Sequence, residues 1–198
     1  MLTRLVRGFG LIELLIAVSI LAILTAVTVP NLMSWIRGAR TRAVADALQS
    51  GLRVAQVEAQ RRSHTVVFFF TDSKVCSTGA TAIAGGKYWQ ARVVPDALQS
   101  GDVSEAVQCG VLTDVGSGVS VTPSATAICF GGDGRLTAAT DPTAIGVDCA
   151  AAAANFQISP DNRKSQERRL TVTLSLAGAV RMCDPDKSSA APDGCRAS

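Results

Sequence analysis

The chain has 198 residues, 47% of them hydrophobic and 18% charged, with a formal net charge of +3. That length accommodates one globular domain beside an anchoring helix but not two full domains, and the near-balanced charge points to no particular partner. The apolar excess is uneven: a dense block stands near the N-terminus and the remainder has ordinary composition.

In chain order, the first element is the short basic segment 1–8, MLTRLVRG, followed by the apolar run Phe9 to Val29. As a helix that run is roughly 32 Å long, enough to cross a bilayer's hydrocarbon core. Arg4 and Arg7 favour the cytoplasmic side, which delivers the body after Pro30 to the periplasm. A secretory signal peptide fits less well, because the run is long and no small-x-small cleavage site ends it. A plain single-pass anchor is separated from a more specific role by Glu13, since an acidic side chain inside lipid is costly and requires a partner. Cleavage after Gly8 supplies one: Phe9 gains a free α-amino group one helical turn from Glu13 in its own chain, or beside Glu13 of a neighbour. Removing the two leader arginines from +3 leaves +1.

Gly8-Phe9-Gly10-Leu11-Ile12-Glu13-Leu14 resembles the type IV prepilin motif, in which a dedicated peptidase cuts after the glycine and methylates the new N-terminal phenylalanine. The family more often has threonine where Gly10 stands. Pro30 resembles the family's helix-bending proline, and a proline there removes one backbone hydrogen bond. The resemblance implies a type IV pilin fold of α+β class. A long N-terminal helix, transmembrane over 9–29 and amphipathic over 30–62, packs on an antiparallel β-rich periplasmic domain, 63–198. It also implies partners: other pilins or pseudopilins, the prepilin peptidase and an inner-membrane assembly platform.

From Asn31 to Arg62 a mostly apolar stripe is predicted through Leu32, Trp35, Ile36, Ala39, Ala43, Ala47, Leu48, Leu52, Ala55 and Ala59, with arginines outside it. Beyond Ser63, strands are predicted at Thr65–Phe70, Tyr88–Val94, Gly118–Thr122, Thr126–Phe130, Asn155–Ile158 and Arg168–Leu174, the last closing a hairpin with Ala179–Met182. Helix first and sheet afterwards is an α+β pattern. The small-residue stretches Cys76–Gly86 and Ala138–Ala154 are expected to be mobile loops poor in core residues. Gly131-Gly132-Asp133-Gly134 reads as a hairpin turn. The hexapeptide at 46–51 recurs at 96–101 in unmatched surroundings and marks no repeat.

Six cysteines follow the apolar block, with no CxxC pair and no histidine at metal-ligand spacing, which points to disulfides in an oxidising compartment rather than a metal site. Fifteen pairings are open; proximity favours Cys183 with Cys195 and Cys129 with Cys149, leaving Cys76 with Cys109. The lone histidine, His64, sits at the helix-to-strand junction and is expected to cap or face solvent. No nucleophile, phosphate-binding or dinucleotide motif is present, so neither an enzyme nor a cofactor is expected.

The order of elements, with Leu52-Arg53-Val54-Ala55-Gln56-Val57-Glu58-Ala59, Arg168-Arg169-Leu170-Thr171-Val172 and Gly178-Ala179-Val180-Arg181-Met182-Cys183-Asp184-Pro185, resembles the GspH/FimT family of minor pilins and pseudopilins. The resemblance implies a minor subunit that primes or caps a type IV pilus or type II secretion pseudopilus, anchored in the inner membrane and incorporated into the filament. It also carries an alternative, DNA binding during transformation. Arg163, Lys164, Arg168, Arg169 and Arg181 form the basic set for it, and Gly178 and Arg181 match the Gly-Arg-x-Arg motif of FimT-type pilins, although Ala179 replaces its first arginine.

Overall fold

The stretch Val66 to Phe70 has no polar side chain on either face, so as a strand it must be covered on both sides. In the computed structural model it forms β1 (Val66–Thr71), buried throughout. The structure describes residues 10–96, 101–113, 118–163 and 167–196, and Gly8, Phe9 and Lys164 lie outside the described residues. The chain divides into two compact units, residues 1–36 and 37–198, and one helix, α1 (Leu11–Arg62), contributes to each.

In the first unit the helix is apolar around its whole circumference. Leu11, Ile12, Leu15, Val18, Ile23 and Leu24 point in different directions and are all more than half exposed in the single chain. A helix of this kind requires an apolar surrounding rather than one covered stripe. Among the described residues no helix is long and apolar enough to cross a membrane. The run Leu11–Ala26 is roughly 24 Å long, short of the about 30 Å hydrocarbon core; Phe9 and the side chain of Val27, which extend it in the sequence, are outside that description.

In the second unit the helix turns one stripe inward: Val44, Ala45, Leu48, Leu52, Ala55 and Ala59, at the three- and four-residue spacing of a single face. The downstream part of the predicted stripe is therefore buried, but Leu32, Trp35, Ala39 and Ala43 are exposed. Upstream of Thr41 apolar and small residues occur on several faces, so their pattern has no unique phase.

The first sheet has the order β3-β2-β1-β5-β6, with β2 (Tyr88–Val93), β3 (Glu105–Val111), β5 (Ala127–Phe130) and β6 (Leu136–Thr137) all pairing antiparallel. The second has the order β4-β7-β8-β9, from β4 (Val119–Pro123), β7 (Ala154–Pro160), β8 (Leu170–Leu174) and β9 (Val180–Cys183), also antiparallel. Phe68, Phe70, Trp89 and Phe130 of the first sheet and Phe156, Ile158 and Val172 of the second share one core with the helix stripe. Strand β7 shows the alternation that such one-sided burial demands, with Ala154, Phe156 and Ile158 inward and Asn155 and Gln157 outward.

Two strands escape the sequence pattern. β3 is an edge strand with no fully buried residue, and β6 has only two residues, so neither needs an apolar run. The expected hairpin turn does join β5 to β6, with Gly134 at φ +77°. Arg168 and Arg169, predicted inside a strand, instead precede β8.

The two stretches expected to be mobile and poor in core residues are corrected by the structure. Ala80 from the first and Ile145 and Cys149 from the second are buried against Val67, Phe69, Ala127 and Cys129 on the opposite face of the first sheet from the helix. They cover the second apolar face of β1. Arg92 fastens them. Its guanidinium is fully buried and donates to the carbonyl oxygens of Ser77 (2.9 Å), Ala80 (3.1 Å) and Thr143 (3.2 Å), with the Phe69 ring 5.0 Å below. Burial lowers its pKa from the ordinary arginine value, because desolvation disfavours the charged form. Replacing it by Met removes the desolvation cost but strands three carbonyl oxygens without this donor. Arg92→Met is expected to destabilise the full chain by about 2–4 kcal/mol, read as a lower urea midpoint in detergent solution; an unchanged midpoint refutes the fastening role.

Candidate functional site

Helix α1 starts where the Gly10 carbonyl accepts the backbone N–H groups of Glu13 (3.0 Å) and Leu14 (3.2 Å), which places the Glu13 carboxylate in the first turn. There it meets the positive end of the helix dipole. Between Gly10 and Ala26 the other polar side chains, Ser19 and Thr25, satisfy themselves internally: Ser19 Oγ donates to the Leu15 carbonyl at 2.7 Å and Thr25 Oγ1 to the Leu21 carbonyl at 2.9 Å. Such back-bonding hides a hydroxyl inside its own helix. Glu13 has no hydrogen-bond or ion-pair partner among the described residues. Pro30 stands within the same helix, and Gly8 and Phe9 precede the described residues.

At the other end of α1, Glu58 receives Arg61 (2.7 Å) and Arg62 (3.1 Å), and Arg62 continues to Glu105 on β3 (2.5 Å). The hydrogen bond from Arg61 above all, with that from Arg62, holds the Glu58 carboxyl below its usual value against the opposing effect of desolvation. His64 places Nδ1 2.9 Å from the Arg62 carbonyl and Nε2 3.4 Å from Asp102, a carboxylate distant in sequence. It closes the helix-to-strand junction.

The basic residues near the C-terminal strands are brought together, but most are matched by aspartates. Arg163 and Arg169 both reach Asp186 (2.8 and 2.7 Å), Arg168 reaches Asp184 (2.7 Å) and Asp193 (3.0 Å), and Lys187 reaches Asp193 (2.5 Å). Asp184 is nearly inaccessible and also accepts the Asp186 backbone N–H. Arg181 is exposed on β9, apart from these pairs. Gly178 has a packing reason: at φ +83°, a Cβ there would stand 2.2 Å from the Gly134 carbonyl oxygen and 2.3 Å from Gln56 Nε2, where two turns meet the helix.

The cysteines pair as Cys76–Cys109, Cys129–Cys149 and Cys183–Cys195, the set that proximity in the sequence favours. The first ties a loop to edge strand β3, the second holds the covering loop on β5, and the third closes the C-terminal segment on β9. Sequence reading missed the aspartates as a group; Asp184, Asp186 and Asp193 alternate with the basic residues closely enough to have signalled compensation. Among the described residues no group of three His, Cys, Asp or Glu side chains is placed to hold a metal.

The chain belongs to the family described as type II transport protein GspH, whose profile matches residues 44–178. Residues 3–29 match the prokaryotic N-terminal methylation motif. It is a family of minor pilins and pseudopilins, structural subunits rather than enzymes, and membership implies anchoring in the inner membrane and assembly with other pilin-like subunits. Similar solved structures include the type IV minor pilin FimU of Pseudomonas aeruginosa, at 18% identity over 78% of this chain and 99% of that one, with a TM-score of 0.47. The minor pseudopilin EpsH from the type 2 secretion system of Vibrio cholerae is similar at 12% identity over 75% and 99%, TM-score 0.47. GspH of E. coli is similar at 13% over 75% and 91%, TM-score 0.46. No curated protein is significantly similar in sequence.

Lys187, and after it Arg168, lowers the Asp193 carboxyl as Arg61 lowers Glu58. Both folded values lie below the ordinary 3.8 and 4.5, so the stabilisation is complete above those values and is lost as pH falls through the depressed ones. The thermal midpoint should therefore drop on acidification from about pH 5 to about pH 3, and the slope should be shallower in Glu58→Gln with Asp193→Asn; equal slopes count against these pairs.

Proposed function

We propose that this chain is a minor pilin or pseudopilin that primes or caps a type IV pilus or a type II secretion pseudopilus after cleavage by prepilin peptidase. Before assembly the segment 9–29 spans the inner membrane with the 63–198 domain in the periplasm. The peptidase cuts after Gly8 and the new Phe9 terminus is methylated. On assembly the helix leaves lipid for a filament core, Pro30 adapts its path, and the Glu13 carboxylate meets the Phe9 amine of a neighbour.

The observation that carries this reading is the isolation of Glu13. Ser19 and Thr25 are satisfied within their own helix, whereas Glu13, in the first turn, has no partner among the described residues. A buried charge without a partner costs several kcal/mol, so apolar surroundings favour a subunit arrangement that provides one. The methylation motif over residues 3–29 supports the source of that partner. DNA binding for transformation has less support, because Arg163, Arg168 and Arg169 are engaged by aspartates and each lost phosphate contact weakens a salt-sensitive interaction.

Mass spectrometry of native protein should find a methylated Phe9 terminus, and Gly8→Ala should retain the leader. Glu13→Leu should be cleaved normally yet fall at least about ten-fold in the sheared filament fraction, the factor expected for losing about 1.4 kcal/mol of pairing. Undiminished incorporation of Glu13→Leu would overturn the assembly role. For priming or capping, deletion of the gene should reduce filament number, and undiminished piliation and secretion would count against that role.

A further inference from the structure

The solvent face of the second sheet carries a groove of about 440 Å³. Its floor is a cross-strand row: Asn155 on β7 stands opposite Thr173 on β8, and Thr173 opposite Arg181 on β9. Strand alternation sends the flanking Phe156, Val172 and Val180 into the core and leaves these three on the outer face. One wall is the C-terminal segment with Pro192, Gly194 and Arg196. That wall is held by the Cys183–Cys195 disulfide and by the parallel bridge between Asp184 and Gly194. Two arginines distant in sequence thereby line one concavity.

Their electrostatic situation differs from that of their neighbours. Arg163, Arg168, Arg169 and Lys187 are each within ion-pair distance of Asp184, Asp186 or Asp193. Arg181 and Arg196 are exposed, and neither has a carboxylate partner among the described residues. The nearby aspartates are already committed, so the groove keeps a net positive lining. The adjoining Pro192 adds exposed apolar surface.

We propose that this groove binds an extended, carboxylate-bearing peptide segment of a neighbouring pilin-like subunit. Arg181 and Arg196 form the charged clamp, and Asn155 and Thr173 contribute neutral hydrogen-bonding groups. A guanidinium presents a planar fork of donors that matches a carboxylate bidentately. The size lies within the range of sites that enclose a few side chains. A nucleic acid fits less well, because no aromatic side chain lines the groove for base stacking. The source of the peptide rests on the assembly reading; the binding chemistry does not.

The test is fluorescence anisotropy with the full chain in detergent at low ionic strength. The probes are a labelled hexapeptide bearing two glutamates, its glutamine isostere, and a DNA oligonucleotide of matched length. The glutamate peptide should saturate, with the isostere at least about ten-fold weaker, and Arg181→Gln and Arg196→Gln should each lose about five- to ten-fold. Lys87→Gln, just ahead of β2 of the first sheet, should bind as the parent. Equal affinity for the two peptides, or unchanged binding by both arginine variants, overturns the proposal. Tighter binding of the oligonucleotide, lost in the same variants, overturns it in favour of nucleic acid. Gly8→Ala keeps the groove while blocking processing, so its peptide affinity reports on the groove alone, and filament incorporation reports on the assembly reading alone.

Discussion

The second unit depends on the close approach of one helix stripe to two sheets. Leu48, Leu52, Ala55 and Ala59 are wholly buried against aromatic rings from β1 and β2. Gly51 lies on this stripe although glycine costs a helix interior about 1 kcal/mol relative to alanine. The reason is contact: a Cβ there would stand 2.8 Å from Trp89 and 3.0 Å from Phe68. Phe68 and Trp89 in turn stack at 5.4 Å between centroids, and Gly110 lets the indole lie across β3. Small residues on the helix and large ones on the sheet are therefore one packing solution rather than two independent choices.

Burial of both faces of β1 then dictates what lies outside the first sheet. Phe68 and Phe70 face the helix, while Val67 and Phe69 face away and are covered by two loops. Loops carry backbone carbonyls that cannot be left dry. Arg92 answers that requirement by donating to several of them from within the layer, and the Cys129–Cys149 bridge restrains the same cover. A disulfide of this kind contributes about 2–4 kcal/mol, chiefly by limiting the unfolded chain.

The two units meet opposite physical demands. Residues 37–198 bury their apolar side chains within themselves, whereas the helix of the first unit exposes apolar groups on every side and closes its hydroxyls on its own backbone. Only a surrounding of lipid or of like helices satisfies the latter. Membership of a pilin-like family agrees with both demands.

The sequence by itself determined the helix, its end at Arg62, most strand positions and the family, because continuous apolar runs, period-two alternation and a cleavage motif are local signals. His64 and the β5–β6 turn were legible for the same reason. What only the tertiary structure decided was which stripe of α1 faces inward, that β3 completes a sheet edge, and that small-residue loops form a second core around a buried arginine. The same holds for Arg168 with Asp184 and for Arg181 beside Arg196, which lie on separate segments. These depend on distances between parts of the chain that share no periodicity, and a pattern read along one dimension has no means of expressing them.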